Sequence, residues 1–296
     1  MARGPGAFGH SILYRRLGRK PPAPGPARER PPAPTLYEAQ YARRMKAFLR
    51  MWADRLEHEI KAELGRTDSA RADAAGDLPR IWDALLEASG VKQYLGKLHG
   101  ELDQKIGAYT ERVTKVPPGL IASQVRREAF VQKNVALIRG MRDDHLQQVA
   151  DIVRPAAAAG QRWEELAPQI KERLGVAENR AKLIARDQVG KLASQLHQEH
   201  QTSSGIVEYT WSTSQDDAVR GPPKSVENHR ILNGKRFRWD QPPLIPGTSE
   251  HAHPGERIQC RCVAIPVIPT LGGVDLFGPE PVAAQTPQAI PKKRRK

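Results

Sequence analysis

Between Trp211 and Cys262 the chain gathers Asp216, Asp217, His229, His251, His253, Cys260 and Cys262. Thiols and imidazoles at that density suit zinc, which takes sulfur and nitrogen donors in a tetrahedron. The expected ligand set is His229, His253, Cys260 and Cys262, with Zn2+ as the candidate cofactor. The spacing is not that of a zinc finger, because Cys-x-Cys and His-x-His are both tighter than the usual finger pairs. A plainer reading stands beside it, in which Cys262 is a small buried hydrophobe on a strand and the histidines are loop residues.

Asp216 and His229 invite a second chemistry. An acid and an imidazole could hold a divalent ion or act as an acid–base pair in a metal-dependent nuclease or toxin-like enzyme. Against this, no two-carboxylate metal motif is complete, and an aspartate just after a strand commonly caps a turn. The expectation is therefore a protein that is not an enzyme, with nuclease activity as the alternative and no catalytic residue assigned. The chain contains no Gly-x4-Gly-Lys-Ser/Thr loop, no Gly-x-Gly-x-x-Gly and no Gly-x-Ser-x-Gly elbow, so nucleotide hydrolysis, dinucleotide binding and serine-hydrolase chemistry lack support.

The 296 residues carry 47 Lys+Arg against 33 Asp+Glu, a net charge of +14. The excess is uneven: residues 1–34 hold +6 and residues 266–296 hold +3, leaving +5 for everything between. The end of the chain, Lys292, Lys293, Arg294, Arg295 and Lys296, can bind a phosphate backbone without reading sequence, and is the expected DNA-binding element. The alternative is a solvated tail. No apolar run approaches the roughly 18 residues that span a bilayer, and no apolar stretch follows the basic N-terminus as a secretory signal requires, so no membrane partner is expected. Two cysteines one residue apart make no disulfide framework.

These residues must be held by something. Tyr37, Tyr41, Met45, Leu49, Trp52, Leu56, Ile60 and Leu64 recur every three or four positions, one stripe on a long amphipathic helix. Further helical runs follow Pro79, divided near Gly90, and follow Pro117-Pro118-Gly119, ending near Pro155. A short helix from Trp163 should stop at Gly175, and another should begin near Ala177. The period then becomes two: Val207, Tyr209 and Trp211 alternate with polar residues, Phe237 and Trp239 do likewise, and Cys262 to Val267 is a third strand. Ser225 to Leu232 reads as a short helix stopped by Asn233-Gly234. The fold class is α+β: a mostly α-helical N-terminal two-thirds, a small C-terminal α+β domain and disordered basic tails. The expected divisions are a Pro/Arg-rich arm over 1–35, a helical domain over 36–175, the α+β domain over 176–268 and a Pro-rich basic tail over 269–296. Tyr209, Trp211, Phe237 and Trp239 should form the core of the small domain.

Several segments in fixed order carry a resemblance. They are Arg186-Asp187-Gln188 on a helix, then Trp211 with Asp216 and Arg220. His229 and Gly234 follow, then Pro254-Gly255, then Cys260-Arg261-Cys262. Together they resemble the Mu F-like minor head proteins, or phage head morphogenesis proteins, of tailed bacteriophages. Two departures are visible: Ala218 stands where the family has a basic residue, and Gly221 to Asn228 lengthen the interval between Arg220 and the histidine.

The resemblance implies a minor capsid protein of the virion head, made in the bacterial host cytoplasm during assembly. It implies association with the portal protein, with the major capsid or scaffolding protein as further partners. It also implies a part in head morphogenesis and in DNA packaging or delivery. Basic tails beside packed double-stranded DNA agree with that role. A DNA-binding accessory protein is the remaining alternative.

Overall fold

The computed structural model of the protein describes residues 25–26, 29–64, 71–117, 123–159, 161 and 163–268. Its elements in chain order are β1 (Gly25–Pro26), α1 (Thr35–Leu64), α2 (Arg71–Ala88), α3 (Val91–Thr114), α4 (Ser123–Ala158), α5 (Trp163–Ser203), β2 (Glu208–Ser212), a 3-10 turn (Arg230–Leu232), β3 (Arg236–Arg238) and β4 (Val263–Ile268). The chain is mostly helical, with a small antiparallel sheet towards its C-terminal end, as the periodicities predict. The described residues divide into two compact units, neither continuous in sequence: one falls within 34–101 and 122–189, the other within 1–33, 102–121 and 190–296.

The first unit is helical. Along α1, Tyr37, Tyr41, Met45, Leu49, Trp52, Leu56 and Ile60 are buried, so the 3.6-residue stripe is the buried face. Trp82 of α2 meets Phe48 and Trp52 edge-on, with ring centroids 4.7 and 4.9 Å apart. Tyr41 donates its hydroxyl hydrogen to Asn134 Oδ1 at 3.0 Å, and Asn134 donates to the Phe130 carbonyl at 2.8 Å, which satisfies two buried polar side chains. Gly90 separates α2 from α3 with φ +68°, the left-handed geometry that ends helices at glycine.

One expected helix end is absent: α5 runs through Gly175, whereas α4 ends at Ala158, close to the expected end near Pro155. Ala177, Ala181 and Ala185, spaced four residues apart just beyond Gly175, are all buried. That burial outweighs a local cost of about 1 kcal/mol for an interior glycine. The Ser225–Leu232 segment is the opposite case. Only Arg230–Leu232 winds, because Asn228 N–H bonds to the Pro246 carbonyl and His229 N–H to that of Arg220, pairing across loops instead of along a helix.

In the second unit the sheet order is β1-β4-β2-β3. β2 pairs antiparallel with β3, Tyr209 opposite Phe237, and with β4, Trp211 opposite Ala264. Tyr209, Trp211, Leu232, Phe237, Trp239 and Ile245 pack as one buried cluster that includes Cys260 and Cys262, so the four expected aromatics do form this core. All five residues of β2 are buried, so the strand is central and its polar alternates Glu208, Thr210 and Ser212 are covered too. Gln201 of α5 ties the helix to the sheet, donating to the Ala264 carbonyl at 3.0 Å and accepting from Trp239 Nε1 at 3.2 Å. Part of the expected arm, residues 25–26 and 29–35, is among the described residues. Gly25–Pro26 pairs with Val267 and Ile268 on the open edge of β4, Tyr109 donates to the Glu29 carbonyl at 2.9 Å, and Arg30 donates to the Thr213 carbonyl. The strand covers an edge that would otherwise carry unpaired backbone groups. Residues 1–24 and the expected tail 269–296, with Lys292, Lys293, Arg294, Arg295 and Lys296, lie outside the described residues.

Candidate functional site

The two long connections of the sheet, between β2 and β3 and between β3 and β4, bring His229 and the Cys-x-Cys pair together. His229 opens the 3-10 turn, its N–H fixed to Arg220 and its carbonyl accepting from Leu232 N–H at 3.1 Å. Gln259, with φ +58°, turns the other loop into Cys260, whose N–H donates to the Arg257 carbonyl at 3.0 Å. Cys262 sits at the threshold of β4. The result is a buried trio: Cys260 Sγ lies 3.5 Å and Cys262 Sγ 3.6 Å from His229 Nδ1, and all three donor atoms fall within 4.8 Å of one another. Trp211 walls the group, its ring edge-on to the imidazole at 5.6 Å. The Cys262 N–H donates to Cys260 Sγ at 3.4 Å.

The other imidazole nitrogen, Nε2, lies 3.2 Å from Glu227 Oε1. Glu227 is anchored in turn by Arg257, whose Nε donates at 2.7 Å, and by Arg220. Arg220 also reaches the Ile258 carbonyl, and Arg257 also pairs with Glu250. The electrostatics follow from this layout. Burial raises the cost of ionising Glu227, yet the guanidinium groups of Arg257 and Arg220 hold its carboxyl below the usual range. Burial also opposes charging His229, but its contacts with Cys260 and Glu227 raise its pKa on balance. Hydrogen bonding from Cys262 and then the His229 ring hold the Cys260 thiol well below its ordinary value, while the proximity of Cys260 and burial push Cys262 up.

The remaining expected residues fall elsewhere. His253 is not in the trio: its Nδ1 lies 2.9 Å from the Tyr209 hydroxyl, and its ring packs on Trp239 at 4.9 Å. Tyr209 stands two residues along β2 from Trp211, so His253 beside Tyr209 and His229 beside Trp211 are separated along the strand. His251 is exposed. Asp216 is exposed as well. It accepts from Arg261 Nη2 at 2.6 Å, from the Ser214 hydroxyl at 3.1 Å and from the Ala218 N–H at 3.1 Å, the geometry of a turn cap. Asp216 and His229 thus keep separate partners and make no acid–histidine pair. Arg261, which stands between the two cysteines in sequence, pins the Asp216 turn. Pro254-Gly255 fits the loop to α5: the Ser194 hydroxyl donates to the Pro254 carbonyl at 2.6 Å, and a Cβ on Gly255 would stand 2.9 Å from Ser194 Cβ. Gly234, with φ +79°, ends the turn after Asn233 and donates to the Trp211 carbonyl at 2.8 Å. Arg186, Asp187 and Gln188 lie on α5 in the helical unit, where the Gln188 amide donates to Asp187 at 3.1 Å.

Glu227 and Arg257 escape the sequence reading. The available signal was a Glu-x-His spacing, and it lies inside the Gly221–Asn228 stretch that departs from the family pattern.

A small antiparallel α+β unit, with a His/Cys/Cys group set between its loops, is therefore the structural class of the C-terminal part. Residues 147–265, about two fifths of the chain, match the family described as Phage Mu protein F like protein. The chain is also 37% identical over 140 residues to an uncharacterized protein of Haemophilus influenzae (strain Rd). That match covers 47% of this chain and 29% of the relative, so the chain spans less than a third of the length of the curated relative it matches. No solved structure matches the chain significantly. No helix among the described residues is long and apolar enough to cross a membrane.

Proposed function

We propose that this protein is a minor head protein of a tailed phage, acting in head morphogenesis in association with the portal. The observation that carries the reading is the Mu F-like match over 147–265. Its agreement with the fold is detailed: within that stretch Asp216, Arg220, His229, Gly234, Pro254, Gly255, Cys260, Arg261 and Cys262 each close a loop, cap a turn or seat a loop on α5. They read as the skeleton of a recognition module and not as a reaction centre, since the His229 ring and both sulfurs are buried. The basic ends of the chain support contact with double-stranded DNA during packaging or delivery. The virion head is then its destination, reached from the host cytoplasm during assembly.

Quantitative mass spectrometry of purified particles, full and emptied of DNA, tests this. A few copies per particle, recovered with portal protein, is the expected result. A protein abundant in the lysate but missing from particles overturns the reading. Plasmid incubated with the protein and Mg2+, Mn2+ or Zn2+ should stay intact; cleavage that His229→Ala abolishes would restore the enzyme alternative.

A further inference from the structure

We propose that His229 Nδ1, Cys260 Sγ and Cys262 Sγ bind a zinc ion that cross-links the two long loops of the C-terminal unit, with Glu227 as the positioning residue behind the imidazole. The site goes beyond the assembly role and stands whether or not that role holds.

Three observations converge on it. The first is geometric. Zn–S bonds of about 2.3 Å and Zn–N bonds of about 2.0–2.1 Å, set at tetrahedral angles, put sulfur and nitrogen about 3.6 Å apart. The two S···N separations here are 3.5 and 3.6 Å. The second is the surround of the ligands. A zinc-bound histidine typically presents its free ring nitrogen to a carboxylate, which fixes the tautomer and the ring plane. Glu227 Oε1 occupies that place at 3.2 Å from Nε2, and two arginines hold the carboxylate there. The Cys262 N–H aimed at Cys260 Sγ is the corresponding support for a thiolate. The third is burial. His229, Cys260 and Cys262 are 2%, 9% and 7% exposed, which suits a loop-tying metal and gives no access to a nucleophilic thiol.

Donor softness selects zinc over magnesium or calcium, which require oxygen ligands. The trio supplies three donors of the sulfur and nitrogen type that zinc takes. His253, engaged with Tyr209, is outside the set.

The full-length protein, purified under reducing conditions without chelator, should contain about one zinc per chain by elemental analysis. After removal of zinc, titration with Co2+ should produce the thiolate-to-cobalt charge-transfer band and the intense visible bands of a tetrahedral sulfur-ligated site. Cys262→Ser should lose the charge-transfer intensity. Glu227→Gln should keep the spectrum but weaken binding by about 10–100-fold. His251→Ala and His253→Gln should bind as the parent does. Metal-free protein from zinc-supplemented cells, together with no charge-transfer band on adding Co2+ to the folded parent, overturns the site whatever the variants do. Loss of binding in a folded His253→Gln protein overturns the three-residue assignment.

Discussion

Glu227 Oε1 lies 3.2 Å from His229 Nε2, so the imidazole turns its other nitrogen towards Cys260 and Cys262. The carboxylate in turn depends on Arg257 and Arg220. Removing one arginine leaves the other to carry a half-buried charge. Arg257→Met should therefore lower the stability of the C-terminal unit by about 1–3 kcal/mol, the range for depriving a buried charged group of a partner. Glu227→Gln,Arg257→Met together should cost less than the sum of the two single changes, because the charge and its partner leave together. Denaturant melts of the four proteins check this; simple additivity would show that the pair is not coupled.

How far this site was legible in the sequence depends on the residue. The α1 stripe and the Tyr209–Trp211 alternation were readable because burial imposes its period directly on the chain. Gly90 was readable because a left-handed helix end favours glycine. Gly175 misled because a local breaker was outvoted by the buried alanines that follow it. The cysteines and His229 could be picked by residue type, but choosing His229 over His253 required knowing which side chain faces Trp211 and which Tyr209. Glu227 offered only its Glu-x-His spacing, and its role depends on the loop that folds it back between Arg220 and Arg257.

Gly247 guards that loop. Its φ is +87°, and a Cβ there would lie 2.0 Å from the Val226 carbonyl oxygen, one residue before Glu227. Backbone sits in the way, so no side chain can swing aside. Gly247→Ala should destabilise the C-terminal unit by about 2 kcal/mol or more, combining left-handed strain with overpacking. Gly234→Ala supplies the contrast. It has the same left-handed backbone, φ +79°, but nothing within 4 Å of the added carbon, and should cost about 1 kcal/mol. Equal losses in thermal melts would refute the role given to the Val226 contact.

His197 makes stability depend on acid. Neither of its ring nitrogens has a hydrogen-bond partner among the described residues, and Tyr109 meets the ring edge-on at 6.1 Å. Burial, helped by the nearby His200, pushes its pKa down to about 3. The unfolded chain takes up the proton near pH 6.5, well before the folded one. The contribution is therefore complete above that pH and is lost as pH falls towards 3. Between pH 6.5 and 5 the loss should reach about 2 kcal/mol, at about 1.4 kcal/mol per pH unit. His253, also lowered chiefly by burial, acts in the same direction. His197→Phe should keep the edge contact and remove its share of the acid sensitivity. Parallel stability–pH curves for parent and variant would disprove it.

Trp82 tests the division into two units. It is fully buried against Phe48 and Trp52, so Trp82→Ala should cost about 3–5 kcal/mol. Amide exchange should accelerate in α1 and α2 while β2–β4 keep their protection. An equal acceleration in the strands would mean that the two units unfold as one.

The basic C-terminus offers the last test, and it concerns DNA. Each phosphate neutralised contributes about −0.9 to the slope of log affinity against log salt for duplex DNA. Lys292, Lys293, Arg294, Arg295 and Lys296 offer five cations in a row. If all five engage, deleting 292–296 should flatten the slope by about 4.5 and weaken binding most at low salt, with no preference among sequences. A fluorescence titration on a short random duplex at four salt concentrations measures it. An unchanged slope would assign any DNA contact to another part of the chain and leave the terminal cations to the solvent.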